Sequence, residues 1–426
     1  MTKKSAPLEK LEDKSLQEIL SLQLEQCIRH HTRTCHGLPD ITFILACLKR
    51  VINQNQSGRD FLQFLHDVED QKIPRATFFD ALKSQRRLHS VSEMSHLYHD
   101  LLSNLMTSRS INNLAAFPEI ANYEVFSADG HFIDHSSHLI RECGQKVYAA
   151  GNIYIQNIRN GLVQLFSPVT DGSAKEHELP HFKHTIEISN TTKKKIIWVL
   201  DRGYMDYRWW EKQKDRGHYI ISRTKSNKSV MYCGDLIFDV NDPVNAGVVS
   251  DRIGGFSNTR STIRVIDYIN PETGEEMTFY TTLDQNIRPG LICWLYFLRW
   301  KIEKAFDCFK NELGEKKAWA SGNNALQIQG YCICIIYNFI LFLSEIIQKE
   351  HHCKDRKAEK KYSKCLKKRK TIAEAHGRFI HPMLFLYRSI SRISSQLIRV
   401  VRNLFSSDKP LRLIIPLFIQ RLEVYL

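Results

Sequence analysis

The chain has 426 residues, and 60 lysines and arginines against 46 aspartates and glutamates give a formal charge of +14. That length exceeds a single small module and can bury one large core or two to three smaller ones, while 43% apolar and 25% charged residues exclude wholesale disorder. The positive excess points to a polyanionic partner, nucleic acid first and an acidic membrane surface second, because net charge speaks to association rather than to fold.

Residues 1–115 are expected to be a helical N-terminal region with two readings at its basic end. The opening MTKKSAPLEKLEDKS has no apolar core of a signal peptide. Apolar residues recur at helical spacing in LQEILSLQLEQCI and FILACLKRVI, and Pro74 followed by RATFFDALKSQRRL predicts a helix ending in Lys83, Arg86 and Arg87. A helix-turn-helix DNA reader and a small bundle with a solvated basic face both fit this pattern, and no turn signature separates them.

The texture changes near Phe117. NYEVFSADG alternates and ends in Asp-Gly, as a strand entering a turn does. KVYAAGNIYIQNIRNGLVQLFSP predicts two strands around Asn160 and Gly161. After the charged stretch KEHELPHFKHTI, the short apolar run Ile196 to Leu200 predicts a buried central strand ending at Asp201. Residues 215–287 are strand-rich, with HYIISRT, STIRVIDYI and MTFYTTL separated by turn clusters, NPETGEE being a hairpin turn by composition. From Pro289 to about residue 348 the chain is helical. Its most apolar stretch, Ile328 to Leu343, carries Gln329 and Asn338 and is short for a bilayer, so a buried core helix is expected and no membrane partner. Residues 349–426 begin with a basic linker, the cationic tract CKDRKAEKKYSKCLKKRK, whose charge favours DNA contact over a solvated loop or a partly disordered insertion, and end in amphipathic helical sequence. The eleven cysteines have no Cys-x-x-Cys spacing, which favours reduced thiols of a cytosolic-type compartment.

The chemistry-bearing pattern lies in LICWLYFLRWKIEKAFDCFKNELG. On a single ideal helix, Tyr296, Arg299, Glu303 and Lys310 fall within one narrow stripe, beside an apolar stripe of Leu291, Leu295, Leu298, Ile302, Phe306, Phe309 and Leu313. Taken alone, this is an amphipathic helix with an i,i+4 ion pair. Two further carboxylates change the reading: Asp129 just past an alternating strand and Asp201 at the end of a buried one, where open α/β sheets place their sites. Three carboxylates on two strands and a helix suit a pair of magnesium ions, hard cations that prefer oxygen ligands.

Tyr296-x2-Arg299-x3-Glu303-x6-Lys310 resembles the Y-R-E-K signature of bacterial insertion-sequence transposases of the DDE type, the "insertion sequence four" family. Asp129-Gly130 is similar to the first aspartate motif of that group, and Asp201-Arg202-Gly203-Tyr204 to the second. The likeness spans roughly residues 120–345. It departs at His131, where relatives often carry Thr or Ser, so Asp134 is a rival to Asp129. Asp206 is a rival to Asp201 but suits a helix start better.

The resemblance implies an α/β fold with a ribonuclease H-like catalytic core at 116–348, a β-rich insertion at about 215–287, and helical N-terminal and C-terminal regions. It implies Asp129, Asp201 and Glu303 as catalytic residues and ligands of two Mg2+ ions, with Mn2+ as a substitute, and Tyr296, Arg299 and Lys310 as contacts to the DNA backbone. The partners implied are double-stranded DNA, both terminal inverted repeats and target, and a second copy of the chain. The implied place is the bacterial cytoplasm, at the nucleoid. The implied reaction is cut-and-paste transposition, and a nuclease that cuts without joining and an inactive DNA-binding protein are the alternatives.

Other clusters are weaker. His131, His135 and His138 suit zinc only on a helix, and the stretch reads as strand-turn-strand. Cys27, His30, His31, Cys35 and His36 match no common finger spacing. Trp209 and Trp210 are expected in the core rather than stacked on a base.

Overall fold

A computed structural model describes residues 12–27, 37–53, 57–108, 114–133, 151–169, 178–188, 194–224, 230–255, 262–315, 317–320, 322–350, 356–385 and 394–424. Among the described residues, five helices come first: α1 (Leu16–Glu25), α2 (Asp40–Asn53), α3 (Gly58–Glu69), α4 (Arg75–Lys83) and α5 (Gln85–Ser108). Helix α1 opens with a capping box, in which Ser15 Oγ accepts from the Glu18 N–H and the Glu18 carboxylate accepts from the Ser15 N–H. The helix expected over RATFFDALKSQRRL is two helices, because Ser84 is extended. Its basic end is also tied inward. Arg86 forks onto Asp40 at the start of α2, and Arg87 donates to the Leu38 carbonyl at 2.6 Å. These two arginines therefore fix α2 against α5 rather than form a solvated basic face.

Among the described residues, nine strands form one sheet: β1 (Tyr123–Phe132), β2 (Gly151–Asn157), β3 (Val163–Val169), β4 (Lys195–Leu200), β5 (His218–Arg223), β6 (Met231–Asp235), β7 (Val248–Gly255), β8 (Thr262–Ile269) and β9 (Glu276–Thr281). Their order is β3-β2-β1-β4-β5-β9-β8-β7-β6. Strands β1, β2 and β3 form an antiparallel meander, and β1, β4 and β5 run parallel. Helix α6 (Glu178–Ile188) connects β3 to β4, and α7 (Tyr207–Lys214) connects β4 to β5. The β2–β3 turn uses Gly161 at φ +78°, a conformation glycine takes without strain. Strand β5 pairs with β4, so the first strand of the 215–287 region lies in the parallel part of the sheet, and β6 to β9 continue from it as antiparallel strands.

The remaining helices are α8 (Pro289–Leu298), α9 (Trp300–Glu312), α10 (Asn323–Glu350), α11 (Arg356–Ala375), α12 (Ser394–Leu404) and α13 (Leu411–Val424). Helix α10 is long and apolar enough to cross a membrane, but 94% of its apolar window is buried inside the protein. It shares one core with α1 to α5, α12 and α13. Asn338 of α10 accepts from the Val163 N–H at 2.9 Å and donates to the Val163 carbonyl at 2.8 Å, which satisfies the edge strand β3. The two faces of the sheet have their own cores. Helix α8 covers one, and α6 and α7, with Trp209 and the fully buried Trp210, cover the other. Cys27, Cys47, Cys233, Cys293, Cys308, Cys332, Cys334 and Cys365 are free thiols.

Candidate active site

Strand parity builds the site. In β1, Tyr123 and Val125 face the α8 side, whereas Phe126 and Ala128 face α6. In β4, Ile197 and Val199 face α8, whereas Trp198 and Leu200 face α6. Side chains alternate, so Asp129 and Asp201 both turn to the α8 side. The register pairs Ala128 with Leu200, which sets the two aspartates side by side at adjacent strand positions. Asp129 lies within β1, three residues before its end, rather than past it as its Asp-Gly context suggests. Asp201 directly follows β4, and the 3-10 turn Arg202–Tyr204 starts there.

The helix carrying the other four residues is not continuous. It breaks at Arg299, where the Arg299 N–H bonds to the Tyr296 carbonyl at 3.0 Å and the Ile302 N–H to the Arg299 carbonyl at 3.0 Å. These tighter i→i+3 bonds replace the α pattern. The apolar stripe docks as expected, all seven of its members being buried. Arg299 then reaches two carboxylates at once, Asp129 Oδ2 at 3.1 Å and Glu303 Oε1 at 2.5 Å. Burial works against the charged guanidinium, but Asp129 and Glu303, helped by Tyr296 and Asp201, hold it above its ordinary proton affinity. Tyr296 packs its ring 5.2 Å from that of Phe279, and burial raises its phenol. Lys310 is half-buried on α9, two turns beyond Glu303, and makes no ion pair among the described residues.

A fourth acid joins the group. Glu178, the first residue of α6, accepts from Tyr204 Oη at 2.5 Å. Its carboxylate also lies where a Cβ on residue 130 would stand, 2.2 Å from that point, so the residue after Asp129 has to be glycine for Glu178 to sit there. Burial first, then the charges of Glu178 and Asp201, push the Asp129 carboxyl up to about 7 despite Arg299. No motif marks Glu178 in the sequence. Only the tyrosine of Asp-Arg-Gly-Tyr, its hydrogen-bond donor, hints at a partner.

The donor set suits a divalent cation. Several carboxylate oxygens converge, their repulsion is only partly relieved by one guanidinium, and hard oxygen ligands are what Mg2+ takes. Among the described residues, no three such groups yet ring a single ion, because Arg299 stands between Asp129 and Glu303. Asp206 caps α7 by accepting from the Trp209 N–H at 3.1 Å, as its sequence position suggests. Asp134, His135, His138, His30, His31, Cys35 and His36 lie outside the described residues.

A sheet whose adjacent parallel strands present paired aspartates to a helical glutamate defines a carboxylate-centred α/β protein. The chain belongs to the transposase DDE domain family, whose family model matches residues 121–339. A Sinorhizobium fredii protein that carries a transposase name, y4zB, is 24% identical over 145 residues, 33% of this chain and 40% of that relative's length. The match therefore spans less than half of that relative. The cryo-EM structure of a piggyBac transposase synaptic complex with hairpin DNA has a TM-score of 0.36 at 10% identity, over 96% of this chain and 82% of that one.

Proposed function

We propose that this protein is an insertion-sequence transposase of the Y-R-E-K type, which binds transposon ends and catalyses metal-dependent strand cleavage and strand transfer into target DNA. The observation that carries this reading is the gathering of Asp129, Asp201 and Glu303 about Arg299 within a transposase DDE domain. The strand order β3-β2-β1-β4-β5, an antiparallel meander followed by two parallel strands, supports a ribonuclease H-like core, with the strands beyond β5 as its β-rich insertion. In this organisation residues 116–348 are the catalytic core, 1–115 an N-terminal region with a DNA-binding role, and 349–426 a basic linker and a region for pairing two copies across two ends.

Asp129, Asp201 and Glu303 would hold two Mg2+ ions, or Mn2+ in their place. Bound, such a pair supplies activation of the attacking oxygen and stabilisation of the leaving oxygen in phosphoryl transfer. The other residues position DNA. Arg299, released from the carboxylates, grips a phosphate with its planar fork, Tyr296 donates a hydrogen bond to the backbone, and Lys310 adds a point charge. Water cuts one strand at each transposon end and leaves a 3′-hydroxyl. That hydroxyl attacks the opposite strand, giving a hairpin, or attacks target DNA directly. The test is to incubate the protein with Mg2+, a pre-cleaved end and a target plasmid. Joined product is expected, and cutting without any joining would replace this reading with that of a nuclease.

A further inference from the structure

The cationic tract is a helix with two distinct sides. On α11, Tyr362, Leu366, Arg369 and Ala373 follow i, i+4, i+7, i+11 spacing and form the inner side, with Ala373 buried. Lys360, Lys364 and Lys367 lie on the opposite side, and all three are exposed. The inner side is clamped to the turn between β8 and β9. Arg369 forks onto the Glu272 carboxylate, the Phe379 N–H donates to the Pro271 carbonyl at 3.1 Å, and Arg378 donates to the Thr273 carbonyl at 2.7 Å. The same turn reaches back towards the carboxylates through Glu275, which accepts from Arg223 at 2.6 Å. Arg223 ends β5, the neighbour of β4, which Asp201 directly follows, and shares with Arg202 the wall of a cavity of about 520 Å³.

We propose that the outward face of α11, presented by Lys360, Lys364 and Lys367, docks the phosphate backbone of duplex DNA leading away from the carboxylate site. This deepens the transposase reading and rests on it. The three lysines rise over about 10 Å of helix, a stretch that faces about three phosphates of one strand at 3.4 Å each. Among the described residues, most acids of the β8–β9 turn and of α11 are neutralised. Glu272 and Glu275 are each held by an arginine and Glu374 lies 3.7 Å from Lys370, while Glu276 stays exposed. A lysine row held at fixed spacing by a clamp on its far side meets phosphates without first having to be ordered.

The test is fluorescence anisotropy of a duplex carrying about 20 base pairs of flank, titrated at several salt concentrations with the full chain and the triple variant K360A/K364A/K367A. Each lost phosphate contact lowers the slope of log affinity against log salt by about 0.9, so a drop of about 2.7 is expected. The single variant Glu272→Arg should weaken duplex binding by releasing the helix, and the charge-swapped pair Glu272→Arg with Arg369→Glu should restore it. An unchanged slope in the triple variant, with salt-dependent binding by the parent, overturns this proposal alone. Failure of the parent to bind any duplex overturns the transposase reading and this proposal with it. If the triple variant instead loses only binding to phosphatidylserine-rich vesicles, the face belongs to a membrane surface and the DNA assignment is wrong.

Discussion

Asp129 and His131 stand two residues apart on β1, turn to the same side, and face Tyr154 and Asn152 on β2, yet they live in opposite surroundings. The Asp129 carboxylate is 23% exposed and shares one arginine with Glu303, while Glu178 and Asp201 repel it. His131 is sealed. Its ring stacks on Phe306 at 4.9 Å, and its Nε2 lies 3.1 Å from the buried Glu315 carboxylate, which also accepts from Tyr154 Oη at 2.7 Å. Both groups tie β1 to α9 or to the turn that follows it. The lesson is that access, not polarity, separates a site from a brace. The open group keeps unrelieved charge where a ligand can reach it, and the closed group is buried with no way in. The brace also accounts for the departure at residue 131, since a histidine there fills the space beside Phe306 and Glu315.

The largest expected effect lies in the open group. Glu303→Gln keeps the shape of the helix and removes one carboxylate, and Mg2+-dependent cleavage should fall by about a thousandfold or more, about 4 kcal/mol of barrier. Circular dichroism and the melting temperature should barely move. Cleavage that persists at parental rate, measured on supercoiled plasmid bearing both ends, removes Glu303 from the catalytic set. The closed group should answer in the other way. Glu315→Ala strands Tyr154 Oη and the His131 ring in a dry pocket and opens a cavity, at a cost of about 3 kcal/mol in folding stability. Urea unfolding reads that loss. Activity per folded molecule should fall far less than in Glu303→Gln, and equal losses of both kinds in both variants would erase the distinction.

How much of this was legible in the sequence follows from how locally each feature is encoded. Ile196 to Leu200 forecast β4 because a strand covered on both faces is apolar throughout. Strand β6 left no trace, since all five of its residues are exposed and no alternation separates inside from outside. Strand β7 hid its pattern because the inward residue Asp251 is charged and pairs with the buried Arg264 at 2.7 Å. Helix α6 buries only Phe182 and Ile186, too few for a periodic signal in a charged stretch. In the site, the spacing of Tyr296, Arg299, Glu303 and Lys310 assumed one ideal helix, and nothing such as glycine or proline announces the break at Arg299. Glu178 was invisible for a deeper reason: its place beside Asp129 is set by the packing of α6 against the sheet.

A smaller effect tests the electrostatic half of the comparison. The Asp129 carboxyl titrates at about 7 in the folded protein against an ordinary value near 4. Between those values the folded state binds more protons than the unfolded chain, so stability falls as pH rises from about 4 to 7 and stays lower above that. Asp129→Asn removes the repulsion. It should raise stability at pH 8 in the presence of EDTA by about 1–2 kcal/mol while abolishing cleavage, and the advantage should vanish near pH 4. Thermal melts across pH, with and without metal, check this. A destabilised Asn variant at pH 8 would mean that Arg299 already neutralises the group.

The smallest change asks most of the brace. Tyr154→Phe deletes one hydroxyl, the donor to Glu315 and the acceptor from Asn152 Nδ2 at 3.4 Å. The ring remains, still 5.3 Å from Phe309 and 5.7 Å from Phe306, so the expected loss is about 1–2 kcal/mol for the two buried hydrogen bonds. Because Tyr154 is the cross-strand partner of Asp129, this variant lies as near the carboxylates as a change in the closed group can. If the brace serves only to hold α9 and β1 together, the metal concentration for half-maximal cleavage should stay within about twofold of the parent. A rise of tenfold or more with stability intact would mean that this hydroxyl helps set the spacing of Asp129 and Glu303, and the two groups would then act as one.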